Sequence, residues 1–433
     1  MGDNCIGNRR TDNILEEMGN KFDNYIEATN YLFGKIAQFQ RVGVDAYKPG
    51  LDNMHDMLAE IGNPHLKIKC VHIAGTNGKG SVSNLIAATL QMSGYKTGLY
   101  TSPHLVDFRE RIRIDGVMID EADVLAFINR YEKLIEDYSP SFFELTTLMA
   151  FEYFANNEVD VAVIEVGLGG RLDSTNVINP ELSVITNISK DHTQFLGHSI
   201  REIAGEKAGI IKRGVPVLLG ESNAEYDGVF IEKAKEMGSK LVFAESENRR
   251  MECQLKGLYQ AKNINTALAA IEELRSNNGY NINDDAIKKG FSSVCDITGF
   301  MGRWMQISDK PYVVCDAGHN VGGIASVIEQ LQTEHYKRLN MVVGFVSDKD
   351  IENILKMLPR DAKYFFTKAS IPRALDSELL RLKASKYGLK GYSYDSVASA
   401  YEAAVSESAD GDMVFVGGSC FVVADLLKYI GKS

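Results

Sequence analysis

The stretch VHIAGTNGKGSVSNLIAATL, running from Val71 to Leu90, decides how this chain is read. A short apolar run, Cys70–Ala74, stops at Gly75, and helically spaced apolar residues begin at Val82 and continue to Met92. Gly75, Gly78 and Gly80 lie between, with Lys79 and Ser81 among them. Glycines let a backbone curl until successive N–H groups point inward. The helix that follows adds the partial positive charge of its N-terminus. Lys79 is placed to neutralise β/γ-phosphate charge, and the Ser81 hydroxyl to ligate Mg²⁺. The spacing departs from G-x-x-x-x-G-K-[ST], because Ile73 stands at the first glycine and Gly80 separates Lys79 from Ser81. A plain strand-to-helix turn with an exposed lysine is the alternative; the strand–loop–helix context favours a nucleotide.

Outward from this loop the chain alternates short β-rich runs with helical patterns, as βαβ units do around a parallel sheet. Helical spacing covers Phe22–Phe39 and Leu51–Ile61, with a Gly/Pro-marked loop, Gly43–Gly50, between them. Buried strands are expected at Cys70–Ala74, Thr97–Thr101, Val159–Val166 and Leu182–Ile188. Helices are expected at Val82–Met92, Phe143–Ala155 and Ile200–Lys212, with Gly94 and Gly214 at helix C-caps. The alternation restarts after Gly302, with strands at Tyr312–Cys315, Asn340–Phe345, Lys363–Thr367 and Met413–Val416 and helices at Ile324–Leu331 and Ser396–Ser406. The fold class expected is α/β, with a domain boundary near Asp296–Gly302: 1–297 with a mostly parallel sheet of P-loop type, and 298–433 a smaller doubly wound, Rossmann-like unit.

The 433 residues are 45% hydrophobic and 24% charged, ordinary for a globular protein of two or three domains and too apolar for a disordered chain. With 47 basic against 58 acidic residues the net charge is −11, a poor basis for binding a nucleic-acid backbone. An anionic small molecule remains possible where a loop supplies local positive field. Cys5, Cys70, Cys253, Cys295, Cys315 and Cys420 form no C-x-x-C pair, which argues against a zinc knuckle or disulfide framework and fits a reducing cytoplasm. The N-terminus lacks the apolar core of a signal peptide, Gly2 lacks the Ser or Thr that myristoylation wants at position 6, and no run has the length of a membrane span.

Open parallel sheets bind ligands beyond the carboxyl ends of their strands. Ser102, Glu165, Asp191 and His192 fall there. A carboxylate, an imidazole and a hydroxyl around a phosphate loop suit Mg²⁺. An unpaired acid inside a core is costly, so Glu165 implies a cation or an arginine beside it. His192 on its own reads as a hydrogen-bonded structural histidine, and Lys207 on its own as a solvated lysine. The glycine-rich GlyLeuGlyGlyArgLeuAsp (167–173) reads as a close-approach loop offering Arg171 and Asp173 to a substrate.

Together, HisIleAlaGlyThrAsnGlyLysGlySer (72–81), ThrSerProHisLeu (101–105), GluArgIleArgIle (110–114), GluValGlyLeuGlyGlyArgLeuAspSerThrAsn (165–176), AspHisThr (191–193), GluLysAlaGlyIle (206–210) and AspAlaGlyHisAsn (316–320) resemble the folylpolyglutamate synthase/dihydrofolate synthase family of the Mur ligase superfamily. The resemblance implies an ATP-dependent amide ligase. A folate-type carboxylate, of dihydropteroate or a folate, is phosphorylated to an acyl phosphate, and the amine of L-glutamate displaces phosphate. It implies that Asn77, Gly78, Lys79, Gly80 and Ser81 hold ATP phosphates, and that Asn263, Arg303, Asp316 and His319 lie at the nucleotide. It assigns one Mg²⁺ to Ser81 and Ser102, and a second to Glu165, His192 and a carbamylated Lys207. The catalytic group is then Lys79, Glu165, His192 and Lys207. Phe143, Glu144 and Leu145, with Leu172, Asp173 and Ser174, are implied near the pterin-bearing substrate. A monomer without nucleic-acid or membrane partners is expected. Two other readings compete. A muramyl-peptide ligase carries a sugar-nucleotide domain of about a hundred residues before the loop, and here much of that stretch reads as two helices. A nucleotide switch without ligase activity needs no second metal set.

Overall fold

The computed structural model describes residues 21–36, 50–244, 251–347 and 349–432. The expectations for Gly2, Cys5, the end of the first helix and nearly all of the Gly43–Gly50 loop lie outside the described residues. β1 (Cys70–Ala74), β2 (Thr97–Tyr100), β3 (Ile112–Ile114), β4 (Val117–Met118), β5 (Val161–Glu165), β6 (Leu182–Ile185), β7 (Val217–Leu219) and β8 (Leu241–Phe243) build an eight-stranded sheet in the order β4-β3-β2-β5-β1-β6-β7-β8. β3 is antiparallel to both its neighbours, and the other pairs are parallel. β9 (Met305–Asp309), β10 (Tyr312–Asp316), β11 (Leu339–Val343), β12 (Lys363–Phe366), β13 (Lys390–Ser393) and β14 (Met413–Gly417) form a six-stranded sheet ordered β13-β12-β11-β14-β10-β9, in which β9 alone is antiparallel. The α/β class is as the sequence predicts.

Helices cover both faces of the first sheet, which is why β1, β5 and β6 are buried along their whole length and read as unbroken apolar runs. Leu145, Leu148, Phe151 and Phe154 of the helix Phe142–Asn156 fill one face with Leu32, Met54 and Leu58 from the N-terminal helices. Val82, Leu85 and Ile86 of the helix Lys79–Met92 fill the other with Ile271 and Leu274 of the helix Gln260–Asn277. β1 therefore sits mid-sheet, and its carboxyl end is where the chain crosses from one layer to the other. This fixes the place of the glycine loop.

The structure changes some expected bounds. Val159–Val166 and Leu182–Ile188 shorten to β5 and β6, and their last residues leave the sheet as loops. Gly94 does follow a helix end, with φ +88° and its N–H on Gln91 O. Gly214 does not: the helix Ile200–Ala208 ends earlier, and Ile210 and Ile211 continue the apolar pattern by filling the core beyond it. β3, β4, β7, β8, β9 and β13 were not legible as strands. β7 is three residues long, and β8, β9 and β13 are only partly buried. Among the described cysteines, Cys70, Cys253 and Cys315 are buried, Cys295 and Cys420 are half-buried, and all are free thiols.

Gly75 carries the tightest fit at the strand end. Its φ is +150°, and a Cβ there would lie 1.8 Å from Thr186 Oγ1. Gly75→Ala is expected to cost about 1–3 kcal/mol by overpacking, read as a lower midpoint in urea unfolding; an unchanged midpoint contradicts this account of the loop.

Candidate active site

The loop after β1 is held from β6. Thr76 N–H donates to Asn187 O (2.9 Å) and Asn77 N–H to Asn187 Oδ1 (2.9 Å). Thr186 Oγ1 donates to Asn77 O (2.6 Å), and Thr76 Oγ1 to Ser189 O (3.1 Å). These bonds occupy the first loop N–H groups. The helix Lys79–Met92 opens at Gly78 (φ +83°) without a side-chain cap, so its first N–H groups are left for an anion. Asn263 closes over the turn: a Cβ on Gly78 would lie 2.2 Å from Asn263 Oδ1. Ser81 is buried directly behind.

Lys79 Nζ folds back onto Gly75 O (3.1 Å) and Thr76 O (3.3 Å). Lys207 Nζ, from the helix Ile200–Ala208, reaches the same Gly75 O at 2.9 Å. The lysine is 3% exposed, so the surface reading of Lys207 is overturned: burial, and then Lys79, push its amine down to about 7, against Asp191, Asp173 and Glu206. Glu165, at the end of β5, accepts Ser102 N–H (3.1 Å). Burial raises its carboxyl, while Lys79, the Ser102 N–H, Arg303 and Arg111 pull it back. Both a cation and arginines thus attend Glu165. His192 has φ +49° and a ring pushed down to about 3, by burial against Asp191, so its imidazole is neutral at neutral pH. Lys79 is felt by Glu165, His192 and Lys207 alike, which brings the four together.

A cavity of about 210 Å³ opens beside them, between the two sheets. Phe142, Phe143, Leu172 and Phe421 give it apolar walls, and Arg111, Lys349 and Arg373 give it cations. Asp173 and Ser174 line it as expected. Glu144 and Leu145 do not. Glu144 closes the cap of its own helix by accepting Ser141 N–H (2.7 Å) and Asn53 Nδ2 (3.0 Å), and Leu145 is fully buried core. Helical periodicity turns only Phe143 of that triplet to the cavity. Arg171 is likewise no part of it, since its guanidinium pairs with Glu206 at 2.9 Å.

Known proteins share this fold and much of this sequence. Residues 73–263 match the Mur ligase middle domain and 302–420 the Mur ligase glutamate ligase domain. The chain is 33% identical, over 94% of its length and 99% of the relative's, to dihydrofolate synthase/folylpolyglutamate synthase of Bacillus subtilis. It belongs to the folylpolyglutamate synthase/dihydrofolate synthase family. Among solved structures, Escherichia coli FolC in complex with DHPP and ADP superposes with TM-score 0.84 at 28% identity, covering 96% of this chain and 99% of that one. A bifunctional folylpolyglutamate synthase/dihydrofolate synthase with Mn, AMPPNP and L-glutamate bound gives 0.81 at 26% identity, covering 94% and 98%.

In this ligase the second sheet supplies the far wall of the cleft. Asp316, at the end of β10, accepts Gly318 N–H (2.7 Å) on Oδ1, and Trp304 N–H (2.7 Å) and the Tyr259 hydroxyl on Oδ2. Its carboxylate ties the strand end to the linker and to the nucleotide-loop side of the first sheet. Arg303 lies beside it, with its guanidinium over the Phe300 ring. His319 Nδ1 lies 3.0 Å from Ala317 O, and its ring is pushed down to about 4 by burial and Lys349. Sequence reasoning missed Tyr259, Lys349 and Arg373. Each sits in a segment of unremarkable composition, and nothing in spacing marks them. Only Tyr259 has a signal nearby, in the GlnAlaLysAsn segment that follows it.

Tyr259→Phe removes one donor from Asp316. A cost of about 1–3 kcal/mol is expected for a buried acceptor left short, with a changed emission of Trp304, the single tryptophan. Unaltered emission and unfolding midpoint would contradict the tie.

Proposed function

We propose that the chain joins L-glutamate to a folate-type carboxylate, of dihydropteroate, a folylglutamate or both, with cleavage of ATP to ADP and phosphate. The observation that carries this reading is the convergence of Lys79 and Lys207 on Gly75 O, with Glu165 near Lys79, next to an aromatic-walled cavity that bears cations and is lined by the neighbouring Ser102 and His192. Two lysine amines packed on one carbonyl, at least one of them charged, call for an anion between them. An aromatic wall with nearby guanidinium groups suits a flat heterocycle that ends in carboxylates.

In this reading the N–H groups from Gly78 to Ser81 cradle the phosphates, with Asn77 at the edge of the loop, and Lys79 swings from the loop carbonyls onto phosphate oxygen. Asn263, Arg303, Asp316 and His319 border the rest of the nucleotide. Phe143, Leu172, Asp173 and Ser174 hold the pterin end. A substrate carboxylate oxygen attacks the γ-phosphorus and ADP leaves; the glutamate amine then attacks the acyl carbon, phosphate leaves and a proton is lost. Residues 1–297 carry the nucleotide and 298–433 close over it to keep water from the acyl phosphate.

Two Mg²⁺ ions would be held, one by Ser81 and Ser102 and one by Glu165, His192 and Lys207. Divalent ions held there would screen the repulsion between ATP and the substrate carboxylate. Among the described residues no three His, Cys, Asp or Glu side chains gather as a metal site. A carbamate on Lys207 supplies the missing oxygen donor. It forms when the free amine attacks CO₂ and releases a proton, and an amine pushed down to about 7 is largely free at pH 8. Among the described residues no helix is long and apolar enough to cross a membrane. The free cysteines of the described residues support a reducing, cytoplasmic setting.

The test is ADP release with dihydropteroate or a reduced folate, with and without glutamate. Glutamate-dependent release is expected, inactivity with both acceptors overturns the reading, and glutamate-independent hydrolysis favours a nucleotide switch. Lys79→Ala is expected to lower turnover by about a hundredfold or more, and near-normal turnover contradicts its role. Lys207→Ala is expected to be inactive and partly restored by short carboxylic acids. In the native chain, carbon-13 NMR with labelled bicarbonate should show a carbamate signal that fades as pH falls below about 7, because protonation removes the nucleophile.

A further inference from the structure

We propose that Lys349 and Asn320, from the second sheet, act through Asp191 as positioning residues that set His192 only when the two halves close. The inference rests on the reading of His192 as a metal donor. Asp191 follows β6 in the first half of the chain. Its Oδ1 accepts the N–H of His192 (2.9 Å) and Lys349 Nζ (2.7 Å), and its Oδ2 accepts Asn320 Nδ2 (2.9 Å). His192 Nε2 and His319 Nε2 lie 3.7 and 3.8 Å from the same Oδ2.

The partners are fixed from their own side. Asn320 Oδ1 accepts Gly323 N–H (2.8 Å) and caps the helix Val321–Thr333, which leaves its amide nitrogen to donate to Asp191 and to Asn77 Oδ1 (3.0 Å). One asparagine thus touches both the nucleotide loop and the carboxylate. Lys349 lies just beyond β11, and its side chain is 10% exposed against 11% for Asp191, so water screens the pair weakly.

His192 needs this support because φ +49° is unfavourable for a residue with a Cβ. The bond from its N–H to Asp191 Oδ1 holds that conformation, and Asp191 is itself held from across the cleft. Opening removes Lys349 and Asn320 together. The carboxylate is then free to turn to water, and His192 to relax toward ordinary backbone angles. The donor set at Glu165 and Lys207 is complete only in the closed molecule. This orders events: the histidine donor arrives with closure, which excludes water, so ATP is not spent on an open site.

The test uses the full chain with Lys349→Met, Lys349→Arg and Asn320→Ser, the last keeping a helix-capping hydroxyl. The first readout needs neither nucleotide nor metal: hydrogen exchange of the segment bearing the His192 amide. The second is Mn²⁺ binding to the ADP-loaded protein, followed by the paramagnetic signal of free Mn²⁺. The third is kcat and KM for ATP and for glutamate. Lys349→Met is expected to exchange about tenfold faster at His192, bind Mn²⁺ about tenfold more weakly and lose kcat by a similar factor, with KM for ATP within about twofold. Lys349→Arg should recover much of each, and Asn320→Ser should show a smaller change of the same kind. Unchanged exchange and Mn²⁺ binding overturn the proposal, as does a defect confined to KM for glutamate, which would make Lys349 a substrate contact. Should Lys349→Met fail to fold, the other two variants decide by the same readouts. Loss of ligase activity in the unaltered chain would instead fault the ligase reading and leave the exchange result standing.

Discussion

The carbonyl oxygen of Gly75 is met by two lysine amines, Lys79 at 3.1 Å and the buried Lys207 at 2.9 Å. Like charges so close are unfavourable, and burial sharpens the repulsion. Part of the conflict is relieved at Lys207, whose amine sits near neutrality, and part by Glu165, whose carboxylate faces Lys79. The remainder makes this spot hungry for an anion. The surrounding architecture follows from the need to hold it there. β1 lies mid-sheet so that its carboxyl end faces the cleft. Gly75 has no Cβ because Thr186 occupies that space, and the loop N–H groups not bonded to Asn187 stay free.

Such a field is useful only when water is kept out, and for that the first sheet needs the second. Two carboxylates gather contacts between the halves. One is Asp316, which collects the linker N–H of Trp304 and the Tyr259 hydroxyl. The other is Asp191, which takes Lys349 and Asn320. Both are carboxylates with their acceptor sites largely used. A buried carboxylate that loses a donor is penalised more than a neutral group would be, so each contact favours all of its partners or none.

The sequence showed the loop, the strands on either side of it and the end positions Ser102, Glu165 and His192, because each depends on local pattern: glycines before a helix, or an acid ending an apolar run. Residue type alone put Lys207 in solvent, since burial of a lysine is a tertiary fact, and only the family resemblance brought it to the site. Arg171 looked like a substrate contact because it sits in a glycine-rich loop; the neighbouring helix offers Glu206, and the pair satisfies itself. Edge strands such as β8 and β13 escaped because a half-buried strand needs no continuous apolar run. Lys349 and Tyr259 were illegible for a different reason. Their partners, Asp191 and Asp316, are 158 and 57 residues away in the chain, and only folding brings them together.

The two carboxylate contacts are not equivalent under motion. Asp316 binds the linker itself, so a rotation about the linker displaces its partners little. Asp191 draws Lys349 and Asn320 from the other half, whereas Asp316 keeps Trp304 and Gly318 from its own, so the same rotation strips Asp191 of more of its donors. The Asp316 cluster is therefore suited to survive opening as a pivot, and the Asp191 cluster to break. The asymmetry also accounts for the placement of a strained backbone at His192. A left-handed residue beside a contact that breaks can relax each time the cleft opens, so its strain is renewed only by closing. The same residue beside the pivot would remain strained in both states and would carry no information about which one the molecule occupies.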